Sequence, residues 1–131
     1  MKQIVDLQNS SKFKELDVQL ISIARDSIPE LAVETGALGI VTVPVLSDPD
    51  MAVSKAYDVL QWAMDNGEPS HTFVLLDGEG KIVWVKDYGA PDNPNRTMYV
   101  EVSELVRFIE NNLELGDFNG TSGNVIINVQ K

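Results

Sequence analysis

The run Ser70-His71-Thr72-Phe73 poses the chemical question of this sequence. His71 is the only histidine in the chain. An imidazole can hold a hydrogen bond or move a proton near neutral pH, which makes it the first candidate for chemistry. The plainer reading is a half-exposed histidine capping a strand, which would titrate near the ordinary value of about 6.5. Asp48, Asp50, Asp77 and Glu79 are carboxylates grouped in two short loops. They lack the calcium-loop pattern of a glycine at the sixth position and a glutamate at the twelfth. Asp48 and Asp50 instead suit the cap of the helix that follows them. The glycines of Asp77-Gly78-Glu79-Gly80-Lys81 could suggest a phosphate loop, yet no helix follows, so the segment reads as a turn. Cysteine is absent, which excludes a disulfide, a thiolate metal site and a thiol nucleophile within these residues. With one histidine, a zinc site would need a majority of carboxylates, so no metal and no cofactor are expected.

Composition narrows the partners. A chain of 131 residues with 44% hydrophobic content reads as one globular domain with a real core. Twenty acidic residues against ten basic ones give a formal charge of −10, and no basic stripe offsets it. Such a surface repels phosphate backbones, so nucleic acid and anionic membranes are poor partners. No apolar run approaches the ~20 residues that span a bilayer. The segment from Met1 to Ser10 has neither the basic start nor the apolar core of a secretory signal, which makes the cytoplasm the default expectation.

The elements that would position His71 follow from periodicity and turn chemistry. Ile4, Leu7 and Phe13 have a loosely helical spacing. Val18 to Ala24 is almost wholly apolar, as in a strand buried on both faces. Ser27 and Glu30 have capping-box spacing, Pro29 suits a first turn, and Gly36 suits the end of that helix. Pro44 restricts the segment from Ile40 to Asp50 to an edge strand or loop. Ala52, Val53, Ala56, Tyr57 and Leu60 mark the apolar face of a further helix. His71 to Asp87 reads as a hairpin turning through Asp77 to Gly80. Val102, Leu105, Val106, Ile109 and Leu113 line the buried side of a last helix that Gly116 closes. Trp62, Trp84 and Tyr88 are most economically packing residues. A buried strand followed by a helix signals an α/β protein.

Four pieces in order carry a resemblance. "VQLISIARDS" is similar to the central-strand segment of peroxiredoxins of the alkyl-hydroperoxide-reductase/thiol-specific-antioxidant type. "VPVLSDPDMAVSKAYDVL" resembles their "FPLLSDPDxxVAKAYGV" pattern, "HTFVLLDGEGKIVWV" their hairpin, and "MYVEVSELVRFI" the ending of related redoxins. The resemblance runs from about Lys2 to Leu113. It implies a thioredoxin-like α/β three-layer sandwich with a mixed central sheet. The family's chemistry uses a thiolate at the start of its first long helix, which attacks a peroxide or disulfide. Here "MKQIVDLQ" resembles the part of that helix after the cysteine, so the usual first strand and cysteine loop are missing. A start at an internal methionine, a natural cysteine-less redoxin and an in-frame interruption upstream all stay open.

By the same resemblance, His71 lies where thioredoxin-like oxidoreductases carry a cis-proline and many peroxiredoxins an arginine. His71 and Thr72, the residue after it, are therefore the candidate remnant of an active site, and no residue is expected to be catalytic. Pro69 is expected to be an ordinary trans turn proline. The implied function is the C-terminal part of a peroxiredoxin-like thiol oxidoreductase, inactive as written and with its redox partner unidentified. The alternatives are a non-catalytic thioredoxin-like binding or dimerisation module, and a small-molecule site in the vacated cleft. Residues 1–115 would form the truncated domain, and 116–131 an extra loop and strand. In a thioredoxin-like sheet the missing strand lies between those formed here by "VQLISIA" and "TFVLL". "NVIINV", Asn124 to Val129, is apolar enough to replace it, from its own chain or exchanged within a homodimer, and an edge hairpin or a disordered tail is the equal alternative.

Overall fold

The computed structural model describes residues 1–116 and 123–130, except the side chains of 114–116. The elements are α1 (Lys2–Gln8), α2 (Ser11–Glu15), β1 (Gln19–Ala24), α3 (Ile28–Leu38), β2 (Val45–Ser47) and α4 (Ala52–Ala56). A 3₁₀ turn at Val59–Trp62 follows, then β3 (His71–Leu76), β4 (Ile82–Asp87), α5 (Val102–Gly116) and β5 (Val125–Gln130).

The strands form one sheet in the order β2-β1-β5-β3-β4. β5 runs parallel to β1, from Gln19 opposite Val125 to Ala24 opposite Gln130. It runs antiparallel to β3, from His71 opposite Gln130 to Leu76 opposite Val125. The slot between β1 and β3 is thus filled by β5 of the same chain. One of its faces, Val125, Ile127 and Val129, is wholly apolar, and the other passes from Ile126 to Asn128 and Gln130. Ile126 packs on one side with Ile4, Leu7, Phe13, Leu20, Phe73, Leu75, Leu105 and Ile109. Ile127 and Val129 pack on the other with Ile23, Val59, Val74 and Leu76. Helix, sheet and helix make the three layers expected of a thioredoxin-like fold.

Local chemistry explains most boundaries. Ser10 separates α1 from α2, its Oγ accepting from the Phe13 amide at 3.1 Å. Ser27 and Glu30 form the capping box of α3 in both directions. That helix runs past Gly36 and ends at Gly39, which has φ +70°. Gly36 lowers helix propensity without supplying the left-handed backbone that stops a helix, and Gly39 supplies it. β2 is an edge strand, and although Pro44 has no amide to give, its carbonyl accepts from the Ser22 amide at 2.9 Å. Asp48 Oδ1 accepts from the Val53 amide at 3.1 Å, and Asp50 Oδ1 from that of Ala52 at 3.1 Å, so both aspartates tether α4. The expected apolar face of α4 is corrected: the chain leaves the helix at Tyr57 and turns through Asp58 at φ +60°. Ser54 and Val59 are buried, while Ala52, Val53 and Ala56 are exposed. The hairpin turns on Asp77, whose Oδ1 accepts from the amides of Glu79 and Lys81, each at 2.9 Å. Trp84 stacks on Phe108 at 5.7 Å between ring centroids, and Tyr88 meets Phe73 edge-on. No helix among the described residues is long and apolar enough to cross a membrane.

Removing β5 would leave β1 and β3 with unpaired buried edges. A chain truncated after Leu115 is expected to aggregate or lose cooperative unfolding. In the full chain, Ile126→Ala should cost about 2–5 kcal/mol by urea denaturation, as for a fully buried isoleucine. A soluble, equally stable truncation product would show that β5 is not needed.

Candidate functional site

His71 opens β3, and the structure corrects the half-exposed reading: the residue is 1% exposed. Its burial comes from three sides. Its carbonyl accepts from the Tyr88 amide at 2.9 Å, Gln130 lies opposite it on β5, and Phe73 packs edge-on against its ring at 5.3 Å. The fourth side is α1. His71 Nε2 lies 3.1 Å from Gln3 Oε1, which also accepts from the Val100 amide at 2.7 Å. Gln3 Nε2 donates to the Val100 carbonyl at 2.9 Å, which fixes the orientation of the amide. An amide oxygen only accepts, so Nε2 carries the proton and Nδ1 is left as a bare acceptor. That Nδ1 is buried and has no hydrogen-bond partner.

Electrostatics match this geometry. Burial pushes the His71 pKa down from 6.5 to about 4; the Asp87 carboxylate opposes the shift, and the chain's amino terminus adds to it. At neutral pH the imidazole is uncharged. Tyr88, which faces the same core, has its phenol pushed up by burial and then by the negative charge of Glu104.

Thr72 is not part of this arrangement. Successive strand residues face opposite sides, so its side chain leaves the sheet away from His71. Thr72 Oγ1 donates to Asp87 Oδ1 at 2.8 Å, and Ser70 Oγ donates to the same oxygen at 2.7 Å. Asp87 Oδ2 accepts from the Ala90 amide at 2.8 Å. Asp87 was not singled out from sequence, although its place directly across from Thr72 follows from the hairpin register.

On the His71 side, the strands supply more buried polar groups. Gln130 Nε2 donates to Ser22 Oγ at 3.1 Å and reaches Met1 Sδ at 3.4 Å. Asn128 is fully buried, and neither atom of its amide has a partner. Gln3, Ser22, Asn128 and Gln130 could not be found by motif, because their proximity depends on where β5 inserts. The carboxylates stay apart: Asp48 and Asp50 serve α4 and Asp77 serves the hairpin turn. Among the described residues no group of three or more His, Cys, Asp or Glu side chains could hold a metal. Pro69 is trans, there being no cis peptide bond among the described residues. A cleft of about 460 Å³ lies elsewhere, lined by Leu7, Phe13, Val18, Thr42 and Val125, where β1 and β5 begin.

A five-stranded mixed sheet between helical layers is the architecture of a thioredoxin-like fold. The model of the AhpC/TSA family matches residues 1–85, and the chain belongs to that family. The match ends inside β4 and leaves α5 and β5 outside it. No curated protein and no solved structure is matched by the chain.

The depressed pKa of His71 has a consequence for stability. A folded value of about 4 against 6.5 unfolded means that the unfolded chain binds the proton first. The contribution is complete above pH 6.5 and is lost as pH falls from there towards 4. Urea unfolding is expected to show about 2 kcal/mol less stability at pH 5 than at pH 7. His71→Asn should flatten that part of the profile. An unchanged slope in the variant would assign the effect to other groups.

Proposed function

We propose that residues 1–131 are the thiol-free part of a peroxiredoxin-like oxidoreductase scaffold, and that this chain by itself reduces neither peroxide nor disulfide. The observation that carries the reading is the absence of cysteine in a member of a thiol-dependent family. His71 supports it: a neutral, buried imidazole tied to Gln3 braces a helix against a strand and has no nucleophile beside it. His71 and Thr72 are, in this reading, what remains of an active site, with the reactive thiol and the antioxidant activity supplied from outside these residues.

A second reading, a non-catalytic binding or dimerisation module, has a specific observation behind it. α3 is rich in apolar residues, yet Leu31 is its only buried one. Ile28 is 73% exposed, Val33 74% and the nearby Val41 84%. An apolar helix left largely in water marks a surface that another protein would cover.

Coupled thiol-peroxidase and insulin-reduction assays on residues 1–131 are expected to give buffer rates, and turnover above buffer would overturn both readings. Light scattering over a range of concentrations separates them. A dimer abolished by Val33→Asp would favour the module, and a monomer throughout favours the scaffold alone.

A further inference from the structure

Parallel neighbours in a sheet are ordinarily joined by a helical crossover, because their ends lie at opposite edges. β5 and β1 are such a pair, matched residue for residue over their whole length. α1 and α2 lead directly into β1, and they cover the sheet face that carries Leu20 and Ile126. The end of β5 meets the beginning of α1: the Gln130 amide reaches Met1 Sδ at 3.4 Å while also holding Ser22 of β1. Met1 packs against the same core cluster as Ile4 and Ile126. Strand, helix and parallel strand are therefore all in place, interrupted only between Gln130 and Met1.

We infer that β5, α1 and β1 are one split strand–helix–strand unit, in which the strand that would lead into α1 is supplied by residues 125–130. The link between α5 and β5 is then dispensable, whereas the juxtaposition of Gln130 with Met1 is the one the fold requires. The polar groups around His71 agree with this. Gln3 from α1 and Gln130 from β5 converge on the carboxyl end of β1, where such a unit would turn from strand to helix.

Two variants test the inference, both retaining every residue. The first closes the backbone from Lys131 to Met1 through a flexible linker of about six residues, enough to reach about 20 Å. The second carries the same linker and opens the chain between Gly116 and Asp117. Both are expected to unfold cooperatively in urea with a midpoint no lower than that of the natural order. The opened variant should also refold faster, because β5 then pairs with a strand close to it in sequence. A closed chain with a lowered midpoint would show that the ends do not adjoin. A stable closed chain with an unfolded opened one would show that the α5–β5 link is required. Either result overturns the inference, and neither depends on redox activity.

Discussion

Everything in this fold depends on β5 pairing along both of its edges at once. β1 and β3 lie one strand-width to either side of it, about 4.8 Å each way, and they do not touch without it. A backbone amide or carbonyl buried without a partner costs about 1–3 kcal/mol, so a vacant central slot would be ruinous for a domain this size. Filling the slot also joins the two cores. Ile126 belongs to the cluster under α1 and α5, while Ile127 and Val129 belong to the cluster over Val59. One short strand contributes to both layers because its side chains alternate between them.

The same insertion creates the polar region at one end of the sheet. On the face under α1, Leu20, Ile126 and Leu75 form an apolar row at the start of β5. Two residues further along, Ser22, Asn128 and Phe73 lie abreast, and beyond them Gln130 meets His71. Polarity therefore rises along β5 towards the place where α1 begins. Part of this layer is satisfied, through Gln130 to Ser22 and His71 to Gln3. Asn128 and His71 Nδ1 are not, and each such group destabilises the fold relative to an apolar neighbour. Stability alone would favour valine or leucine there.

The sequence made the elements legible wherever a local rule governed them. The capping box at Ser27, the turn at Asp77 and the helical face of α5 all rest on residues close together in the chain. The placement of "NVIINV" between β1 and β3 was also readable, because an apolar run beyond the family's usual ending had one buried slot available. Its strand begins at Val125 and runs on to Gln130, one residue past the expected end. Gly36 misled because a glycine is only permissive; the turn at Gly39 depended on backbone conformation that composition does not reveal. α4 misled because an apolar spacing says nothing about a chain that turns left-handed at Asp58. The burial of His71 was hidden for another reason. It requires Gln3, Val100 and Gln130, residues from three distant parts of the chain, and no local pattern joins them.

Those distant partners also explain why α1 exists. Seven residues are too few for an isolated helix to persist in water, and Met1 makes no side-chain cap. Two glutamines take the place of helix propensity. Gln3 pairs with both backbone groups of Val100, as a neighbouring strand would. Gln8 Oε1 accepts from the amides of Val41 and Thr42, and its Nε2 donates to the Gly39 carbonyl at 3.0 Å. Each amide side chain acts as a detached peptide group, stitching α1 to a loop far along the chain. The helix is therefore conditional on tertiary structure already formed, with β5 below it and the loops around residues 39–42 and 100 beside it. Its apolar side joins the same tertiary packing, with Ile4 and Leu7 buried in the main core. The polar layer around His71 shares that dependence: its burial, and with it the neutral state of the imidazole, rests on α1 being packed over it with Gln3 at 3.1 Å from Nε2.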